Sequence, residues 1–402
     1  MTRNIVFIGP FGLRPKATMS IRALPLAKGL ATRGHHVTVL IPPWDDPVRA
    51  GQNWQEDGVQ VVNVPLPQGV YRLPLLFHIF LTRALLAHAL HLQPEVVHFF
   101  KPKAYAGLAH VGLWWRRKMG RTSARLVVDT DDWEQAWNNV LPYSTAQKIF
   151  FTWQEQWGLR HADAITVASR ALENLVAAQT KRQPTNIFYL PNGIHAQASM
   201  IEPGQANQSQ TAPSLNPFSP DSPIILLYSR FVEFRLERVV SMVKQVAGQF
   251  PQARWLMVGE GLHGEEKLLA EKLAQEKLSA YAHFTGWLPI EQVPACFDVA
   301  DIAIYPFDNT LLNRTKCSVK LISLLAAGLP VVADAVGQNC EYIESGVSGV
   351  LVAAEDNDAF CRAIVALLQQ PELRQSLGQN AAHRIQQYNW TNLAEIAERA
   401  YH

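Results

Sequence analysis

The chain has 402 residues, 48% hydrophobic and 17% charged, the balance of a folded soluble protein and more than one core ordinarily supports, so two domains are expected. Its four cysteines, Cys296, Cys317, Cys340 and Cys361, all lie in the second half without Cys-x-x-Cys spacing, which argues against a disulfide framework and a zinc site and fits a reducing cytoplasm. A net charge of +2 hides an asymmetry: residues 1–195 hold 21 Lys and Arg against 12 Asp and Glu, a net +9, which leaves −7 for residues 196–402.

Residues 4–9 read as a buried strand that follows the amino terminus directly, with no apolar signal core or cleavage site, so secretion is not expected. Gly9-Pro10-Phe11-Gly12 reads as a turn, residues 20–33 as a helix and residues 36–42 as the next strand. Strand, glycine-bearing loop, helix, strand opens a doubly wound parallel sheet, in which ligands sit beyond the carboxyl ends of the strands. The dinucleotide fingerprint Gly-x-Gly-x-x-Gly is missing, so no nicotinamide cofactor is expected.

The alternation continues with strands at 59–64, 96–99 and 125–130 and helices at 73–92 and 105–119. The first of these helices is apolar but contains His78, Arg83, His88 and His91, and falls short of a transmembrane span. In the second, Trp114-Trp115-Arg116-Arg117-Lys118 sets paired aromatics beside three cations. That composition suits a lipid headgroup interface; the alternative is core aromatics beside a solvated basic edge. The +9 half divides in the same way, between an anionic partner and a surface that pairs with the −7 half.

Asp129, Asp131 and Asp132 stand at the carboxyl end of the 125–130 strand, where side chains reach a ligand. A lone Asp cluster without His or Glu partners is a weak metal signal, and no metal is expected. Residues 162–170 read as a strand and capped helix, and 188–194 as a strand ending in a turn. From 195 to 222 the composition shifts to Gln, Ser, Asn, Ala and Pro, which marks a linker. A second α/β run follows: strands at 224–228, 255–258 and 301–306, then Leu312 to Ala333, where Ser318 is a candidate N-cap, Leu321, Leu324 and Leu325 recur at helical spacing, Gly328 stops the helix and a strand spans 329–333. With Arg314, Lys316 and Lys320 around its start, this helix offers free N–H groups and cations to a diphosphate.

That segment, above all Ala326-Ala327-Gly328-Leu329-Pro330-Val331-Val332-Ala333, resembles the donor-binding helix of the group 1 (family four) retaining glycosyltransferases of the GT-B fold. Arg33-Gly34-His35-His36-Val37 and motifs spaced along nearly all of the chain resemble the same family. The resemblance implies an α/β protein of two Rossmann-like doubly wound domains facing a central cleft. Residues 1–194 would bind the acceptor, 195–222 link, 223–385 bind the nucleotide-sugar, and 386–402 form a terminal helix that crosses back to the first domain.

It further implies retaining transfer to a glycan, lipid-linked or other glycoconjugate acceptor, with no cofactor, no metal and no nucleic acid. Peripheral contact with an anionic membrane follows as one reading of the basic half. By position, Gly12 faces the donor phosphates, while Arg230 and Arg235, the latter where relatives carry Lys, hold them. Gly259 follows a strand end, Trp287 lies in the stretch near the nucleobase, Lys316, Cys317, Ser318, Val319 and Lys320 complete the phosphate pocket, and Glu341 follows a Gly-bearing turn. Asp131 and Asp132, where many relatives have His-Asp, are the catalytic candidates together with Arg230 and Lys320; an Asp there is an acid normally ionised at neutral pH. The paired glutamates of many relatives fall on Thr315 and Ser323. That departure motivates two alternatives, a sugar-nucleotide-binding homologue without transfer and a GT-B nucleotide-sugar epimerase.

Overall fold

The computed structural model describes residues 2–13, 18–66, 69, 74–182, 184–194 and 217–402; most of the expected linker, residues 195–216, lies outside them. The chain divides into two compact units, one comprising Met1–His195, Thr315–Cys317 and Tyr388–His402, the other Ala196–Arg314 and Ser318–Gln387.

In chain order the first unit contains β1 (Asn4–Ile8), α1 (Leu24–Thr32), β2 (His36–Ile41), β3 (Asn53–Glu56), β4 (Val59–Asn63), α2 (Pro74–His91), β5 (Val96–Phe100) and α3 (Ala104–Lys118). It continues with β6 (Arg125–Thr130), α4 (Glu134–Trp137), α5 (Thr145–His161), β7 (Ala164–Val167), α6 (Arg170–Thr180) and β8 (Ile187–Tyr189). The strands form one sheet in the order β3-β4-β2-β1-β5-β6-β7-β8, parallel except for β3 against β4. Ile5, Val6, Phe7 and Ile8 of β1 are all fully buried, as an unbroken apolar run covered on both faces requires.

Three features depart from the sequence reading. The expected helix at 20–33 begins as a π-type turn, Met19–Ala23, before α1. Pro25 has no N–H to donate back to the preceding turn, so the regular ladder starts only around it. The β3–β4 hairpin was not read from the sequence; Asp57 and Gly58, at φ 47° and 81°, make the Asp-Gly turn that closes it. Helices α4 and α5 also fill an interval to which no element had been assigned. Helix α5 starts at a capping box: Ser144 Oγ accepts from Gln147 N–H, and Gln147 Oε1 accepts from Ser144 N–H, a pairing worth about 1 kcal/mol.

The second unit contains β9 (Ile224–Tyr228), α7 (Leu236–Gln249), β10 (Arg254–Val258), α8 (Glu265–Gln275), β11 (Ala282–Gly286), α9 (Val293–Asp298), β12 (Ile302–Tyr305) and α10 (Leu311–Thr315, whose last residue belongs to the first unit). Then follow α11 (Val319–Ala326), β13 (Val331–Asp334), α12 (Asn339–Tyr342), β14 (Val350–Val352), α13 (Asn357–Gln369) and α14 (Pro371–Ile385). Its six strands are parallel in the order β11-β10-β9-β12-β13-β14. Gly328, at φ 74°, ends α11 in the left-handed conformation that only glycine adopts without cost. The strand after it starts at Val331 rather than 329, because Pro330 cannot donate to a ladder.

Helix α15 (Trp390–Ala400) belongs to the first unit. Its stripe of Trp390, Leu393, Ala394, Ala397 and Ala400 is buried with α1 in the core on one face of the eight-stranded sheet. A Cβ at Gly29 of α1 would lie 2.6 Å from Trp390 O, so the two helices approach closely enough to require glycine. Helices α2, α3, α5 and α6 cover the opposite face.

Candidate active site

At the carboxyl edge of the second unit's sheet, the turn after β9 is tied down by Ser229 and Glu233. Ser229 Oγ donates to Glu233 Oε2 at 2.9 Å and accepts from Phe231 N–H at 2.9 Å. Phe231 is buried at φ 59°, a left-handed conformation that costs a side-chain-bearing residue about 1–3 kcal/mol and points to a turn shaped for a ligand. Arg230, at the tip, is exposed.

Gly259 follows β10 at φ 120°, and a Cβ there would lie 2.1 Å from Ser229 O; the two turns touch backbone to backbone. Its N–H donates to Gly286 O at 3.0 Å, and Gly286 leads into Trp287, which is 67% exposed. Lys320 Nζ lies 4.2 Å from the centre of the Tyr228 ring and 3.6 Å from the position a Gly259 Cβ would take. Arg230, Gly259, Trp287 and Lys320 therefore sit on neighbouring strand ends with the first turn of α11, which begins at Val319. A cation beside glycine turns and a helix N-terminus suits phosphate oxygens.

Ser318 occupies the N-cap position, but its hydroxyl does not cap. Its backbone N–H donates to Gln338 Oε1 at 2.9 Å, and its buried Oγ has no hydrogen-bond partner among the described residues. With ψ at 76° the residue falls short of the extended conformation that aims a cap at the third N–H. Gln338 in turn sets the short helix carrying Glu341 beside the start of α11, helped by Gly337, where a Cβ would meet Arg314 O at 2.6 Å. Arg235 is two-thirds exposed, 3.5 Å from Asp308, a pair that adds little to stability.

Gly12, Asp131, Asp132, Lys316 and Cys317 belong to the other unit. Gly12 is buried in the loop after β1, where Gly9 packs against the Met19 side chain. The three aspartates after β6 have separate surroundings. Asp129 is fully buried and takes a bidentate pair from Arg22, at 2.7 and 2.6 Å, with a third bond from Thr166 at 2.6 Å. Arg22 also donates to Asn192 and Leu190 O, which makes Asp129 an anchor inside the fold rather than a ligand contact.

Asp131 and Asp132 lie 3.0 and 3.3 Å from Lys101 Nζ, which is also 2.9 Å from Glu134; Lys103 holds the other oxygen of Glu134 at 2.8 Å. Asp132 Oδ1 accepts from Cys317 N–H at 3.4 Å, and Lys316 Nζ lies 5.9 Å from the Trp137 ring centre. Burial pushes the Cys317 thiol up to about 12, so it is no nucleophile near neutral pH.

The charges in this cluster follow from burial and neighbours. Burial opposes the Lys101 ammonium, but Asp131, Glu134 and Asp132 outweigh it and hold its pKa well above the ordinary value. Burial likewise works against the Glu134 carboxylate, but Lys101 and Lys103 bring it down to about 2. Burial pushes Asp132 up to about 6, with Asp131 and Glu134 adding to the rise and Lys101 opposing it. Asp132 is thereby a weaker acid than an ordinary aspartate, with its titration brought up toward neutral pH. Burial, reinforced by Glu134, raises Glu155 to about 8 against the two backbone N–H bonds it accepts from Glu134 and Gln135.

A pH dependence follows. A carboxyl whose folded pKa is raised stabilises the fold below the ordinary carboxyl range and loses that contribution as pH rises through the folded value. For Glu155 the loss between pH 6 and pH 8 is about 2–3 kcal/mol, at about 1.4 kcal/mol per pH unit. Urea unfolding of the native chain and of Glu155→Gln measures it. The native chain should lose stability relative to the variant across that range, a comparison that cancels the buried histidines His98 and His110, whose pKa values burial lowers to about 3. Parallel curves would show that Glu155 is already ionised at pH 6.

The lysines, Glu134, Glu155, Arg22 and Gln338 were not found by reading the sequence. Lys101-Pro102-Lys103 after an apolar strand was the available signal, since it follows β5 as Asp131-Asp132 follows β6. Only the pairing of β5 with β6 sets the two side by side.

The profile of the glycosyl transferases group 1 family matches residues 222–370, and that of the glycosyl transferase 4-like domain matches residues 18–193. A GDP-mannose-dependent alpha-(1-6)-phosphatidylinositol monomannoside mannosyltransferase of Mycolicibacterium smegmatis is 24% identical over 379 residues, 92% of this chain and 91% of that protein. Sucrose-phosphate synthase from Thermosynechococcus elongatus superposes with a TM-score of 0.72 at 19% identity, covering 99% of this chain and 98% of that one. The Anabaena protein Alr3699/HepE, solved with UDP-glucose, gives 0.66 at 15% identity, covering 98% of each chain.

Proposed function

This chain belongs to the group 1 glycosyltransferases of the GT-B fold, and on that premise we propose that it moves a sugar, with retention of anomeric configuration, from a nucleotide-sugar donor to a glycan, lipid-linked or other glycoconjugate acceptor in the cytoplasm. The observation that carries the reading is the gathering of Arg230, Gly259, Lys320 and the first turn of α11 at one sheet edge. Departure of a nucleoside diphosphate puts negative charge on phosphate oxygens, and fixed cations and N–H groups there act where charge develops. Same-face transfer lets the leaving phosphate take the acceptor's proton, so a dedicated protein base is not required. Asp131 and Asp132 are assigned to the acceptor side, where the near-neutral pKa of Asp132 suits it to share a proton with a sugar hydroxyl. The relative that uses GDP-mannose and the neighbour solved with UDP-glucose support the donor class and leave its base open.

One observation favours a second reading. Ser323 Oγ donates to Val319 O at 3.1 Å within its own helix, so the position where many relatives carry a ribose-binding carboxylate is engaged internally. With Thr315 at the other glutamate position, the departure suits a homologue that does not transfer sugar. A panel of UDP-, GDP- and ADP-sugars, read for thermal stabilisation and for release of nucleoside diphosphate, separates the two. Stabilisation with release supports transfer, stabilisation alone supports binding, and neither sinks both. In the same assay Arg230→Ala should weaken nucleoside diphosphate binding by about 1.5–3 kcal/mol, the worth of a charge-assisted bond. Unchanged affinity would remove the turn after β9 from the pocket.

A further inference from the structure

Helices α2, α3 and α5 form one layer, with α3 packed between the other two, and the outward side of that layer is apolar. Ile79 and Phe80 of α2, Trp115 of α3 and Ile149, Phe150 and Trp153 of α5 are all exposed, Ile149 to 67% and Trp115 to 57%. A single exposed apolar residue is ordinary, but six large ones on three adjoining helices mark a surface meant to be covered. Phe150 and Trp153 stack on each other, with ring centres 5.9 Å apart. The outward groove beside them is lined by Lys148, Ile149, Thr152, Trp153 and Gln156.

Charge decides what covers it. The three helices carry six Lys and Arg and one carboxylate, Glu155, which is fully buried beneath the layer. The layer therefore shows water cations and aromatics but no acid, although the unit as a whole has twelve Asp and Glu among residues 1–195. Trp114 does not take part, since it is wedged against Trp157 and His161 at 5.7 and 5.2 Å, and Arg117 is paired with Asp163. This splits the Trp114–Lys118 run into an inward half and an outward half. No helix among the described residues is long and apolar enough to cross a membrane, so the layer can lie on a bilayer but these helices do not span one.

We propose that the outward face of α2, α3 and α5 is a docking surface for an anionic lipid bilayer, with the aromatic and aliphatic side chains entering the headgroup region while Arg83, Arg116, Lys118, Lys148 and Arg160 meet lipid phosphates. The inference does not depend on the transferase reading, because it rests on helices and charges that the donor pocket does not use. A self-complementary dimer would bring cation against cation and is disfavoured by the same pattern.

Sedimentation of the full chain with vesicles of phosphatidylcholine alone and of phosphatidylcholine with phosphatidylglycerol tests it, at low and high salt. The expected result is co-sedimentation with the anionic vesicles only, weakening as salt shortens the Debye length. An Ile149→Ser, Phe150→Ser, Trp153→Ser variant should partition at least ten-fold less, and Arg116→Glu with Lys118→Glu should act in the same direction through charge alone, while nucleotide-dependent thermal stabilisation stays as in the native chain. Recovery in the supernatant with every vesicle would overturn the proposal. So would a native dimer that the triple variant dissociates, which would assign the face to a second copy of the chain.

Discussion

Arg238→Met should destabilise the second unit by about 3–5 kcal/mol, the cost of leaving a buried charge without its partner. Arg238 and Asp334 are 2% and 0% exposed in their side chains and are joined by two bonds, at 2.9 and 2.7 Å. The same guanidinium reaches Asp308 and Asn357, while Asp334 also accepts Phe307 N–H at 2.7 Å. Burial still raises the Asp334 pKa despite these donors, so the carboxylate alone would be poorly held. A double variant, Arg238→Met with Asp334→Leu, should recover most of the loss, because replacing a buried pair by apolar side chains is often neutral. Urea denaturation of the native chain and both variants measures this. A single variant within 1 kcal/mol of the native chain would show that water reaches Asp334.

Lys320→Ala should lower kcat by about 10²–10³, the range seen when one fixed donor to a developing charge is removed, equivalent to about 2.7–4 kcal/mol. Lys320 is in the first turn of α11, so its ammonium stands at the positive end of the helix, and the Tyr228 ring lies 4.2 Å from Nζ to the ring centre. Because the charge builds up only as the diphosphate leaves, the loss should fall mainly on kcat, with a smaller change in donor KM. The residue is only partly buried, so the thermal midpoint of the variant should stay near that of the native chain. A kcat within threefold of the native value, on a donor the chain is shown to use, would take Lys320 out of the transition state.

The donor-side elements were legible because their signals are local. An apolar run as short as Ile224–Tyr228 fits a covered strand better than a helix, Gly328 after a run at helical spacing marks the helix end, and residues just beyond a strand or at a helix start inherit their place from the element. Helix α5 was not legible for an equally local reason: its aromatic and polar residues give no clean apolar stripe, and part of its apolar character faces outward instead of into the core. The role of Ser318 was misread because the cap depends on a backbone angle that Gln338, twenty residues on, helps to set.

By itself the sequence determined that this protein is two α/β units with its candidate ligand residues at strand ends and at one helix start, since burial pattern and glycine and proline punctuation act within a few residues. The tertiary structure alone decided which charges meet. Arg22 with Asp129 and Lys101 with Asp132 are 107 and 31 residues apart, and they come together only because β1, β5 and β6 are neighbours in one sheet. With that placement come the near-neutral pKa of Asp132, which burial among other charges sets and composition does not, and the outward apolar face of three helices, which exists only once each helix has chosen the side it buries.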